Sequence, residues 1–174
     1  MLDEVHLRRA EARDRSMLLG LYAADRASAY ASLRLSELQL TALLEEQLRV
    51  RDAVYAKRFP GAEQWVAVVN GRDVGHIFMH ASAGLVRVLE FAIAGDERRR
   101  GYGEGAMRAV QQLAERSGCD VTLRVRRQSA ASRLYLRLGF FVVAGREHHD
   151  EMRWARPATR ADIHASPPTL HEKS

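Results

Sequence analysis

The sequence predicts a single α/β domain with a mixed, mainly antiparallel sheet flanked by helices. Three observations carry the prediction. Apolar, β-branched runs between Trp65 and Ile93 are broken by the turn dipeptide Asn70-Gly71 and by a second turn at 81–84, a meander of three antiparallel strands. The third strand leads through a polar turn into a helix and then another strand, a crossover that makes those two strands parallel. At 174 residues, with no internal repeat, the chain suits one full-sized core.

Taken in order, Val5 to Ala10 alternates weakly and reads as a first strand. Asp14 begins a helix with Met17, Leu18, Leu21 and Tyr22 on one face. Ser36, with Gln39 three residues on, is a capping box opening a second helix, whose Leu40, Leu43, Leu44, Leu48 and Val54-Tyr55 run toward Phe59-Pro60-Gly61. Trp65 to Val69, Val74 to His80 and Leu85 to Ile93 are the meander. A helix opens near Gly101, with Tyr102, Ala106, Ala109, Val110 and Leu113 at helical spacing, and Gly118 closes it. Asp120 to Val125 is the parallel strand, Ser129 to Leu138 a helix, Phe140 to Ala144 a strand and Glu151 to Trp154 a last one. The domain is expected over residues 1–156. Residues 157–174 include Pro167-Pro168, lack periodicity and are expected to form a disordered tail.

Composition narrows the function classes. Net charge is +5, and Lys57 and Lys173 are the only lysines, so the excess is arginine. These arginines are scattered and rarely neighbour aromatics, which argues against nucleic acid as a partner. Cys119 is the single cysteine, leaving no disulfide framework or cysteine metal cluster and fitting a reducing cytoplasm. No segment approaches the ~20 apolar residues of a membrane span. The charged N-terminus has no apolar core of a secretory signal. The expected location is the cytoplasm, with no metal and no membrane partner.

The chemistry concentrates between Glu90 and Glu104. The strand end Phe91-Ala92-Ile93 is followed by a turn, three arginines (Arg98, Arg99, Arg100) and the helix entrance Gly101-Tyr102-Gly103-Glu104. First-turn N–H groups lack intrahelical partners and carry the positive end of the helix dipole, so the entrance suits an anion, phosphate above all. Gly103 is followed by Glu104-Gly105 rather than Lys-Ser/Thr, which excludes the phosphate loop of kinases and ATPases. A dinucleotide fingerprint through Gly101, Gly103 and Ala106 lacks the flanking sequence of a doubly wound domain.

Arg98-x-x-Gly101-x-Gly103 after an apolar strand resembles the acyl-CoA-binding motif of the GNAT superfamily of acetyl-CoA-dependent N-acetyltransferases. Downstream, Gln128-x-x-Ala131-x-x-Leu134-Tyr135-x-x-x-Gly139-Phe140 resembles the family's Asn-x-x-Ala-x-x-Leu-Tyr-x-x-x-Gly-Phe pattern, with Gln128 in place of Asn. The resemblance is closest over residues 65–154 and implies the GNAT fold, with acetyl-CoA as co-substrate and no metal. It implies that Phe91, Ala92 and Ile93 contact the pantetheine through their backbone, in a gap between parallel strands. It further implies that Arg98, Arg99, Arg100, Gly101, Tyr102, Gly103 and Glu104 hold the diphosphate, and that Tyr135 and Gln128 meet the cofactor. Tyr135 would also be the acid that protonates the departing thiolate. Its alternative is a packing tyrosine beside Leu134 and Leu138.

The base is open. Glu90, between Leu89 and Phe91, is a candidate for proton acceptance, for binding a cationic substrate, or for an ion pair with Arg87 or Arg124. Strict alternation groups it with Val86, Val88 and Ala92 on one face. His76, His80, His148 and His149 are weaker candidates. Arg124, Arg126 and Arg127 are placed near enough to reach the 3′-phosphate of CoA, or are a solvated strand end. The acceptor is an amine: a small amine, an amino acid, an antibiotic or a peptide N-terminus. A homodimer is a further expectation from the family. A non-catalytic acyl-CoA sensor or interaction module is the alternative function.

Overall fold

The computed structural model describes residues 4–158. Its elements are β1 (His6–Arg9), α1 (Arg15–Tyr30), α2 (Glu37–Arg58), β2 (Glu63–Val69), β3 (Arg72–Ser82), β4 (Leu85–Ile93), α3 (Tyr102–Arg116), β5 (Asp120–Arg126), α4 (Ala130–Arg137), β6 (Phe141–Gly145) and β7 (His149–Trp154). The expected tail lies, apart from 157 and 158, outside the described residues.

Local chemistry sets most of these boundaries. The Ser36 hydroxyl accepts from the Gln39 N–H at 3.2 Å while the Gln39 carboxamide accepts from the Ser36 N–H at 2.9 Å, so the capping box starts α2. Asn70-Gly71 (φ 49° and 76°) and Ala83-Gly84 (φ 44° and 75°) are left-handed pairs, the geometry that matches the twist of antiparallel strands. Ala81 and Ser82, expected in the second turn, instead continue β3. Cys119 is buried between the end of α3 and β5.

The sheet order is β1-β2-β3-β4-β5-β7-β6, and only β4 and β5 are parallel. The last strand in sequence is therefore seated inside the one before it. β7 places Met152 in the core, whereas every residue of β6 is exposed, including Phe141, Val142 and Val143. A hairpin can present either strand inward, and burial of Met152 decides for β7.

One face of the sheet packs on α3 and α4 through Ile77, Met79, Val88, Ile93, Val110, Leu123 and Tyr135, among others. The opposite face carries Phe78, on which Tyr55 of α2 makes an edge contact at 5.3 Å. Tyr22 of α1 packs with Leu44 and Leu48 of α2 there.

Asp14 anchors the start of α1. Its buried carboxylate accepts two 2.8 Å bonds from Arg8 of β1 and one of 2.7 Å from the Glu11 N–H. The Arg8 bond, ahead of the opposing effect of burial, holds the Asp14 pKa down at about 2. A carboxyl depressed by folding contributes stability above its unfolded value, near 4, and loses it as pH falls toward the folded value. Asp14→Asn is expected to lower stability by about 1–3 kcal/mol at pH 7. It should also flatten the acid-side loss between about pH 4 and pH 2, measured as urea midpoints along a pH series. An unchanged acid profile would place that loss on other carboxylates.

Candidate active site

The site begins where β4 and β5 part. Their parallel pairing runs from Leu85–Asp120 to Val88–Leu123 and stops there, although β4 stays paired with β3 as far as Ile93. The Ala94 N–H donates to the Val74 carbonyl at 2.9 Å, which fixes the alternation of the antiparallel ladder. Backbone groups of Glu90 and Ala92 thus point to β3, while those of Phe91 and Ile93 point away from it, toward the gap. The gap opens into a cleft of about 510 Å³ lined by Glu90, Phe91, Ala92, Tyr135, Ser129 and residues of α1, α2 and β5.

At the end of the gap the chain turns into α3. Arg98 Nε donates to the Ile93 carbonyl at 3.0 Å and folds the loop back onto the strand. Arg99 (φ 62°) and Gly101 (φ 85°) take left-handed conformations, and Gly101 caps α3 with no side-chain hydrogen bond. The N–H groups of Gly103 and Glu104, in the first turn, have no acceptor within the helix. The three arginines differ. Arg98 holds the backbone, Arg100 lies 3.5 Å from Glu97, and Arg99 makes no ion pair among the described residues. The Tyr102 side chain is in the core, leaving its backbone for any ligand. A Cβ built on Gly103 would touch Ile93, Phe91 and Leu134 at ordinary distances. The cradle fits an anion with an extended arm: positive helix end, open donors and an unpaired strand side within a few residues.

Gly75 keeps this wall in register. A Cβ there would lie 2.6 Å from the Ala92 carbonyl oxygen and 2.7 Å from Ile93 Cδ1. Gly75→Ala is expected to push β4 into the gap, costing about 1–3 kcal/mol and weakening any ligand held there. Thermal melting and ligand titration check the two effects.

On the α3/α4 side, Tyr135 is 6% exposed, packs on Phe140 and reaches the cleft. Its hydroxyl has no hydrogen-bond partner among the described residues. Burial pushes its pKa up to about 12.

Glu90 stands on the other side. β4 carries a bulge at Leu89: Val88 faces Met79 and Glu90 faces Phe78 across one irregular step. The extra residue turns Glu90 away from the core face that holds Val88 and Val86. Strict alternation is therefore broken, and the expected grouping of Glu90 with those valines does not hold. Glu90 pairs with Arg51 of α2, not with Arg87, which lies 3.8 Å from Glu151, nor with Arg124. Burial raises the Glu90 pKa, and Arg51 opposes it. Arg51 is also held by Asp52 at 2.6 Å and lies over the rings of Tyr22 and Phe78. His76 is 5% exposed on the same face, and its Nε2 has no partner; burial, then Arg51, lowers its pKa to about 4, so it is neutral at pH 7.

The acetyltransferase (GNAT) domain family matches residues 60–142, the stretch that holds the gap, the loop and α4. Over that stretch the chain matches the GNAT superfamily. Solved structures of GNAT proteins share the fold. The PaiA N-acetyltransferase from Thermoplasma acidophilum, in complex with coenzyme A, is 16% identical, with a TM-score of 0.62 over 86% of this chain and 98% of that one. The ribosomal-protein-S18-alanine N-acetyltransferase from Escherichia coli is 17% identical, with a TM-score of 0.62 over 90% and 97%. An aminoglycoside acetyltransferase in complex with coenzyme A is 17% identical, with a TM-score of 0.62 over 88% and 95%. No curated protein is significantly similar in sequence.

Against the GNAT pattern, the structure brings Glu90, Phe91, Ala92 and Tyr135 to one cleft. Gln128 (φ 55°) lines a neighbouring shallow groove with Arg126, Arg127 and His148, while the next residue, Ser129, caps α4 and lines the cleft. Arg51, Arg26 and Tyr22 join the cleft without a sequence signal beyond helical spacing, and nothing in that spacing reports which strand they cover; His76, a weaker candidate by sequence, joins them from β3. Among the described residues, no helix is long and apolar enough to cross a membrane, and no cluster of three or more His, Cys, Asp or Glu residues is suited to a metal.

Proposed function

We propose that the protein transfers the acetyl group of acetyl-CoA to a primary amine by direct attack in a ternary complex. The observation that carries this reading is the parting of β4 from β5 beyond Val88 and Leu123, beside a helix entrance that no side chain caps. Acetyl-CoA supplies the thioester that the amine attacks. The chain's own groups do the rest. The N–H groups of Gly103 and Glu104, with Arg99, hold the diphosphate by charge and hydrogen bonding. The gap-facing groups of Phe91 and Ile93 take the amide-rich arm as a partial extra strand, and an N–H there polarises the thioester carbonyl. Glu90 accepts the proton released by the amine nitrogen, directly or through one water. The Tyr135 hydroxyl donates to the departing sulfur.

The neighbours named above include proteins whose acceptors are a ribosomal-protein alanine and an aminoglycoside, at equal structural likeness. Likeness therefore selects no acceptor. The experiment is calorimetric titration of acetyl-CoA into the protein, followed by thiol release over an amine panel. Saturable binding and amine-dependent release are expected, and no binding at millimolar acetyl-CoA would end the reading. Binding without release from any amine would favour a non-catalytic acyl-CoA module, an outcome made concrete by the ion pair that already occupies Glu90.

A further inference from the structure

The acceptor half of the cleft carries unmatched positive charge. Four guanidinium groups line it, from Arg26, Arg51, Arg124 and Arg126, against two carboxylates, Asp25 and Glu90. Arg51 is neutralised twice, by Glu90 and Asp52. Arg26 lies over the Tyr22 ring, its Cζ 3.6 Å from the centroid, with Asp25 at 3.6 Å. Arg124 and Arg126 have no acidic partner among the described residues. Glu151 sits opposite Arg124 in the β5–β7 ladder but turns to Arg87.

The faces matter as much as the count. Leu123 and Val125 of β5 belong to the core under α3 and α4. Alternation sends Arg124 and Arg126 to the opposite face, under α1 and α2. That is the face to which the Leu89 bulge turns Glu90. Arg124 is one residue, and Glu90 two, beyond the last β4–β5 pair, so a carboxylate and a guanidinium look across the gap from its two lips. The anion cradle at the entrance of α3 lies on the other side. Arg124 and Arg126 are thus turned away from the CoA 3′-phosphate that sequence position suggested for them. His76 adds a deeply buried, unpartnered Nε2 to the same half.

We propose that the acceptor is a small amine that itself carries an anionic group, with free α-amino acids as the first class. Its ammonium end lies toward Glu90 and the neutral His76 Nε2. Its anionic end is taken by Arg124 and Arg126, whose planar forks suit carboxylate or phosphate. Selectivity then arises from desolvation: two unpaired guanidiniums favour an acid over its amide, while a polyamine or a basic antibiotic meets like charge. This inference rests on the transfer reading above, and its test separates the two.

The test uses matched pairs with the full chain and saturating acetyl-CoA: α-amino acids against their carboxamides, and 2-aminoethyl phosphate against ethanolamine. Thiol release gives kcat/KM, and thermal stabilisation of the protein–CoA complex by each compound gives binding independent of turnover. At least one acid is expected to exceed its neutral partner 10-fold or more. Arg124→Ala and Arg126→Ala should lower kcat/KM for that acid 10-fold more than for its partner, while KM for acetyl-CoA changes less than 2-fold. The phosphate arm shows whether carboxylate geometry is required. Preference for neutral or polycationic amines overturns the proposal, as does neither turnover nor stabilisation by any anionic member. So does a rise in KM for acetyl-CoA in the arginine variants, which would return those residues to the cofactor. Failure of acetyl-CoA to bind at all instead removes the underlying transfer reading.

Discussion

Tyr135→Phe is expected to lower kcat about 10- to 100-fold, leave KM for acetyl-CoA within about 2-fold, and leave the melting temperature unchanged. The magnitude follows from what this hydroxyl can do. Burial holds its pKa at about 12, so it is protonated at every working pH. The same burial makes it a poor acid toward a thiolate with a pKa near 8.5, since full transfer runs uphill by about 4–5 kcal/mol. A hydrogen bond to developing negative charge on sulfur is the affordable contribution, worth about 1.5–3 kcal/mol. The ring itself packs on Phe140, and the hydroxyl has no protein partner to lose, so phenylalanine should fold as well. Single-turnover rates and thermal melts together decide the matter. A normal kcat with a normal melting temperature would reduce Tyr135 to packing.

The second large effect lies at the ion pair of Arg51 and Glu90. Glu90→Gln is expected to lower kcat/KM about 100-fold and remove the acid limb of its pH profile, as loss of a general base does. Arg51→Ala should move that limb to higher pH. Burial already raises the Glu90 pKa and Arg51 opposes it, so removing the guanidinium leaves the raising effect alone. The base then reaches its working, deprotonated form only at higher pH. Arg51→Ala should also destabilise the fold by about 2–4 kcal/mol, because a half-buried carboxylate loses its counter-ion and two rings lose their cation. Profiles of kcat/KM measured well below the melting temperature separate the two consequences. An acid limb that stays in place in Arg51→Ala would mean that Glu90 is not the titrating base.

Much of the fold was legible because its signals are short-ranged. The capping box at Ser36 and Gln39, the left-handed turn at Asn70-Gly71 and the run from Glu90 into α3 depend on residues within a few positions of one another. The α3 face follows from helical spacing alone, and the parallel pairing of β5 with β4 follows from the helical crossover that joins them. The candidate site was legible only on the side built by that continuous stretch: Phe91 to Ile93, the loop, and Tyr135 by its motif. The other side is assembled from α1 and α2, whose contribution no local pattern reports.

By itself the sequence determined the element order, the Asn70-Gly71 turn, the glycine-rich entrance of α3 and the match to the GNAT family over residues 60–142. Tertiary structure decided three things the chain order leaves open: the seating of β7 between β5 and β6, the end of β4–β5 pairing at Val88, and the face of Glu90. The physical reason is common to all three. Each depends on which distant partner fills a ladder or a core position, and a single extra residue at Leu89 reverses the direction of a side chain without leaving a mark in the pattern of apolar residues.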